Sequence, residues 1–214
     1  MKKIIVCIVS LVFITISFGQ RPGNEIKTPP AKKFYLQAGT AITTADGASF
    51  DFGLQTVLKS NWTAGISFKH VEMKAKNLPS DYERGFALLI FFPVYDEWPL
   101  NKMNIINLTL GRCIETGRKT WFTAEGGLSF VSGEELTFTS QPVENNILYI
   151  SSNYSYRKEN KTGFGIVLKS DFNWAIFPFA GLGAGAFANL NSVQSPLGFE
   201  LKLIFGNLRK PKKK

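Results

Sequence analysis

The sequence predicts an all-β protein, an antiparallel up-and-down transmembrane β-barrel of eight strands. Three observations carry this. Segments of about ten residues recur in which large apolar side chains alternate with polar or small ones, the period-two pattern of a strand between lipid and a polar interior. An apolar stretch of export type stands at the front. Beyond it no apolar run reaches the ~18 to 20 residues of a membrane helix.

The chain has 214 residues, enough for one β domain. Met1-Lys2-Lys3 and the uncharged stretch Ile4 to Phe18 form a basic n-region and an apolar h-region. Ser17 and Gly19 supply small residues for cleavage, so residues 1–19 are expected to be a signal peptide and Gln20 the first mature residue. Gln20 to Lys32 holds Pro22, Gly23, Pro29 and Pro30 and is expected to be an extended periplasmic linker. Of the two cysteines, Cys7 leaves with the signal. Cys113 alone cannot make an internal disulfide, which excludes a small disulfide scaffold.

The barrel is expected over residues 33–207. Its first outward row is Phe34, Leu36, Ala38, Thr40 and Ile42; its second is Phe50, Phe52, Leu54 and Leu58. Trp62, Ala64, Ile66 and Phe68 follow, then Ile106, Leu108 and Leu110, then Phe122, Ala124, Leu128 and Phe130. The sixth is Phe164, Ile166, Leu168 and Phe172. The seventh, Phe179 to Ala188, alternates glycines with Leu182, Ala184 and Ala186. The eighth is the clearest: Leu197, Phe199, Leu201, Leu203 and Phe205, with Glu200 and Lys202 between them.

Every second connection is short: Lys59–Asn61, Glu115–Lys119 and Asn173–Pro178. Two others, Ala75–Asn101 and Ser132–Lys161, are long, as outer loops of such barrels are. A count of ten is the alternative, with Phe86–Phe92 and Ile147–Tyr156 as further strands. Residues 208–214 form a basic tail that holds much of the formal net charge of +9. No aromatic-basic motif accompanies it, so nucleic acid is not an expected partner.

Strand parity assigns an inward face. Asp51, Lys69, Glu125, Lys169, Asp171, Glu200 and Lys202 fall on it and are expected to pair as a lumen charge network, because eight strands enclose a space that side chains fill. Trp62, Trp121 and Trp174 flank the three short turns and are expected to form an interfacial aromatic girdle. Phe91, Phe92, Tyr95 and Trp98 in the first long loop are candidates for recognition of a protein or glycan partner.

On these rows, above all Leu197 to Phe205, the chain resembles the small outer-membrane β-barrel proteins of Gram-negative bacteria, the OmpA/OmpX-type eight-stranded class. The resemblance spans Lys33 to Gly206 and lies in the pattern. It implies residence in the outer membrane, surrounded by lipid. Such proteins often end on an aromatic assembly signal, whereas here Phe205 precedes Gly206-Asn207-Leu208 and the tail.

Two other readings make different demands. A lipid-modifying barrel enzyme needs a nucleophile beside a base. His70, the only histidine, stands in His70-Val71-Glu72, without the serine of the His-x-Ser pattern that lipid A deacylase barrels resemble. No metal cluster, phosphate loop or cofactor motif is present. A soluble lipocalin-like carrier needs the opposite phase, with charges outside and apolar rows around a ligand. The expected function is non-enzymatic: an integral barrel with a plugged polar lumen and a structural or surface-interaction role through its long loops.

Overall fold

The computed structural model describes residues 33–44, 46–58, 60–89, 92–95, 98–141, 145–146 and 149–208. The expected signal peptide, the linker and residues 209–214 of the tail lie outside them.

Twelve strands are present among the described residues: β1 (Lys33–Thr43), β2 (Gly47–Val57), β3 (Trp62–Lys74), β4 (Phe86–Leu89), β5 (Phe92–Tyr95), β6 (Leu100–Glu115), β7 (Thr120–Ser140), β8 (Asn145–Asn146), β9 (Tyr149–Ile150), β10 (Tyr154–Ala175), β11 (Ala180–Asn191) and β12 (Leu197–Asn207). Eight of them close into one antiparallel ring in the order β1-β12-β11-β10-β7-β6-β3-β2. Each long strand of the ring carries one of the eight alternating rows.

The ring is staggered. A path along the paired positions leaves β1 at Lys33, enters β2 at Val57 and β3 at Thr63, and crosses from Glu125 to Lys169. It returns from Gly198 of β12 to Thr43, ten residues further along β1. A sheet closed with such a shift must tilt its strands, by about 35–45° in barrels of this kind.

Burial follows the pleat. In β1 every odd position is buried, and the even positions Phe34, Leu36 and Ile42 are exposed. Phe164 (81 %), Phe199 (78 %), Leu201 (69 %) and Leu128 (68 %) stand almost bare on the outside. An apolar belt this extensive, running round the barrel, is far larger than water tolerates and marks a lipid-facing wall. The phase is the reverse of a lipocalin's.

The further stretches of the ten-strand alternative add no ninth or tenth strand to the ring; the end of the second, Tyr154–Tyr156, is the start of β10. β4 and β5 pair with each other, β4 also pairs β9, and β9 pairs β8, which makes a separate small sheet. The second long loop is also shorter than expected. β7 runs on to Ser140 and β10 starts at Tyr154, so most of Ser132–Lys161 is a hairpin. From Thr162↔Ser132 to Tyr154↔Ser140 it extends about 27 Å, at ~3.4 Å per residue. Alternation fades there because residues 155–162 of β10 are exposed on both faces.

At the short-turn end, Asn61 takes a left-handed φ of 63°, a conformation that asparagine tolerates. Gly206 has φ +151°, and a Cβ there would run into the Phe34 carbonyl. Just beyond it Leu208, assigned by the sequence to the tail, is fully buried, and its carbonyl accepts a hydrogen bond from Lys33 Nζ at 3.0 Å.

Candidate functional site

The lumen is the first candidate. All seven residues of the predicted charge network are buried there. Lys69 of β3 reaches Glu200 of β12 at 2.7 Å, and Lys202 reaches Glu200 at 2.6 Å and Asp171 of β10 at 2.7 Å. Lys169 of β10 lies 3.6 Å from Asp51 on β2, the strand diametrically opposite in the ring, and 3.9 Å from Glu200. Glu125 takes hydrogen bonds from Gln55 and from Thr109, the latter at 2.9 Å. Further out, Asn189 donates to Asn107 at 3.0 Å, and Asn107 donates to Ser67. Sequence reasoning missed the partner of Lys69 on β11: its ammonium sits over the Phe187 ring, 3.3 Å from the centroid.

Apolar layers bound this polar belt at both ends. Toward the short turns lie Tyr35, Val57, Cys113, Trp121, Ala175, Ile204 and Leu208. Toward the long loops lie Val71, Met73, Met103, Ile105, Val131 and Val193. Val193 belongs to the β11–β12 turn. Its neighbour Gln194 accepts from Asn101 of β6 at 2.8 Å and donates to the Lys74 carbonyl of β3 at 3.3 Å. In the ring β3 faces β11 and β6 faces β12, so this turn spans the mouth to the far wall.

Trp121 corrects the girdle. Trp62 and Trp174 are exposed on the outer wall, at 45 % and 47 %, but Trp121 is fully buried in the inner layer. It meets the Tyr35 ring edge-on at 5.9 Å, and Lys33 Nζ lies 4.5 Å from its centroid. Nearness to a turn sets a residue's depth, whereas parity sets its side. The outward Phe122 and Ala124 place Trp121 inside.

The second candidate is the body above the long-loop end. Loop 75–99 is strapped to the β7–β10 hairpin. Tyr154 donates to the Asp81 carboxylate at 3.0 Å, Asn153 donates to the Asp81 carbonyl at 2.6 Å, and the Glu83 amide donates to Asn153 at 2.9 Å. Tyr82 packs among Trp98, Phe138 and Tyr154 with ring centroids 6.0–6.3 Å apart. Lys74 and Arg84 lie over Trp98. The hydrogen bond to Asp81 pushes the Tyr154 phenol up from its ordinary range. Lys158 pairs Glu134 at 3.0 Å, and Lys161 pairs Glu135, which raises the Lys161 ammonium. Of the four loop candidates, Trp98 is exposed within this cluster. Phe91 lies outside the described residues. Phe92 and Tyr95 are described only as backbone of β5, and their side chains lie outside.

His70 stands on the outer wall near the long-loop end. Its Nδ1 lies 2.8 Å from Asn104 Oδ1 and its Nε2 lies 3.4 Å from Glu72, which also pairs Lys102 at 3.0 Å. Among the described residues no group of three His, Cys, Asp or Glu side chains could hold a metal ion.

No protein-family model matches the chain, and no curated protein matches it in sequence. Solved structures do match in shape. Neisserial surface protein A is similar at TM-score 0.52 with 13% identity, covering 80% of this chain and 96% of that one. A major outer membrane protein from Thermus thermophilus is similar at TM-score 0.52 with 9% identity, covering 81% and 98%. The N-terminal barrel domain of Pseudomonas aeruginosa OprF is similar at TM-score 0.50 with 8% identity, covering 81% and 96%. At such identities the likeness is one of fold: the chain folds as an eight-stranded barrel of the outer-membrane type.

Proposed function

We propose that the protein is a non-enzymatic, integral outer-membrane barrel with a plugged lumen, and that it works through the body above its long-loop end. The greasy wall against lipid and the polar, side-chain-filled interior support the membrane reading. The observation that carries the functional part is the strap. Tyr82, Asp81 and Asn153 fasten two long connections into one body beyond the apolar belt, and rigid scaffolds commonly carry their recognition surfaces on such connections. The partner class is a protein or glycan outside the cell.

The test has two arms. The purified full chain in planar bilayers is expected to show no porin-sized conductance; a stable wide pore would overturn the plugged lumen. Replacing residues 75–99 and 141–153 by tight turns is expected to keep heat-modifiable gel mobility. The same change is expected to abolish adhesion of cells bearing the protein to immobilised glycans and matrix proteins. Unchanged adhesion by a folded, trimmed barrel would overturn the recognition role.

A further inference from the structure

The two ends of the barrel carry their exposed charges differently. At the long-loop end the charges pair: Lys102 with Glu72 and Lys158 with Glu134, both at 3.0 Å, and Lys74 with Asp46 and Lys161 with Glu135. At the short-turn end, among the described residues, Lys33, Arg112, Arg118 and Lys119 are set against one exposed carboxylate, Glu115, which Lys33 engages at 3.3 Å. The sequence adds Lys59 to the first short turn. It also places Arg209, Lys210, Lys212, Lys213 and Lys214 after Leu208, whose amide donates to the Pro178 carbonyl at this end.

Arg112 shows what this cationic excess meets. It belongs to the outward row of β6, between Leu110 (65 % exposed) and Ile114 (59 % exposed). Ile114 is nearer the turn than Arg112, so the guanidinium lies within the lower edge of the apolar wall and not beyond it. Its paired position on β3 is Trp62, and the guanidinium carbon lies over that ring, 4.1 Å from the centroid. Exposed Trp62 and Trp174 mark the depth at which hydrocarbon gives way to headgroups. A cation on the lipid face is costly in hydrocarbon and tolerated only near that boundary. One N–H of Arg112 donates to the Ser60 carbonyl at 3.3 Å. A guanidinium has five N–H donors in a planar fork that matches phosphate, so donors remain for a ligand on the lipid side. A polyanion dissolved in water would have to pass Ile114 to reach them, whereas a lipid phosphate already stands at that depth.

We propose, resting on the outer-membrane reading above, that the short-turn rim binds the headgroup phosphate of an anionic phospholipid in the adjoining leaflet. Arg112, stacked on Trp62, is the phosphate ligand. Arg118 and Lys119, exposed in the β6–β7 turn, add attraction for the net charge of the lipid. A zwitterionic lipid offers the same phosphate together with an ammonium group that these cations repel, so the anionic lipid is preferred.

The test uses the full chain inserted in phosphatidylcholine vesicles. Electron spin resonance compares the association of spin-labelled phosphatidylglycerol and spin-labelled phosphatidylcholine with the protein. The wild type is expected to hold the anionic lipid several-fold more strongly. Arg112→Gln is expected to remove most of that preference, and Arg118→Gln with Lys119→Gln to lower it in part. Lys76→Gln, at the long-loop end, is expected to leave it unchanged. Equal association of the two lipids with an inserted wild type would overturn the proposal alone. A chain that inserts into no vesicle would overturn the membrane reading and the proposal with it. Removing residues 209–214 separates rim from tail. The preference is expected to survive that removal; its loss there, with Arg112→Gln behaving as wild type, would overturn the rim site. Should Arg112→Gln fail to fold, Arg112→Lys takes its place. Loss of the planar fork is expected to lower the preference, and an undiminished preference would overturn the assignment of Arg112.

Discussion

Lys69 and Glu200 meet at 2.7 Å although their strands, β3 and β12, share no edge. The bond spans the lumen, where both side chains are almost wholly shielded from water. Glu200 also serves Lys202 and Lys169, so one carboxylate ties three strands together.

Glu200→Leu is therefore expected to cost about 3–5 kcal/mol, because it leaves the buried Lys69 ammonium without its ion-pair partner. Removing Lys69 as well, as Lys69→Met with Glu200→Leu, is expected to recover most of that loss, since Lys202 keeps Asp171 and Lys169 keeps Asp51. Urea unfolding followed by gel mobility measures both. Equal losses in the single and double variants would contradict the pairing.

The tryptophans give an optical test of sidedness. Lipids brominated along their acyl chains are expected to quench Trp62 and Trp174 and to spare Trp121, which faces Tyr35 and Lys33 inside. Three variants with one of these tryptophans kept and the rest changed to Phe would show it. Strong quenching of the Trp121-only variant would return that residue to the wall.

The ring was legible in the sequence because its strands separate two solvents, and alternation records that separation residue by residue. Trp121 lies inside because nearness to a turn fixes only its depth, while the phase set by the outward Phe122 fixes its side. The outer hairpin leaves no mark in the sequence for a physical reason: Arg157 to Lys161 are exposed on both faces, so no alternation is selected there. The seven network charges were legible from parity, but which of them touch was not. Their contacts depend on the stagger of the ring, a property of all eight registers together. The cap of Lys33 on Leu208, between residues near opposite ends of the barrel sequence, carries no local signal at all.

Loop strapping is expected to depend on pH. Tyr154 is an acid whose ionisation is pushed up by Asp81, so the contact is complete below the ordinary tyrosine range and is lost only as pH passes through the raised value. Limited proteolysis of loop 75–99 is expected to stay slow through the ordinary range and to quicken above it. Tyr154→Phe is expected to be cut faster at neutral pH, with little further dependence. Identical profiles for the two proteins would remove Tyr154 from the strap.

His70→Ala is expected to leave the lipid A profile of cells unchanged, because the ring is engaged by Asn104 and Glu72 on the outer wall. A profile that changes with the protein and reverts with this substitution would establish an enzyme instead.

The seam between β1 and β12 bears on how the molecule is born. Lys33–Thr43 is the first strand of the ring to be synthesised and Leu197–Asn207 the last, yet they must lie side by side. Until the final segment arrives, the sheet has two raw edges and no way to satisfy them in hydrocarbon. Closure is therefore a late, long-range event that must wait for a finished chain, and topologies of this type fold slowly. Before then the greasy wall has neither water-compatible partners nor a bilayer around it. A protein built this way depends on being kept apart from its own copies during transit. A chain that stops short of Leu197 should accumulate as aggregate rather than as a smaller barrel.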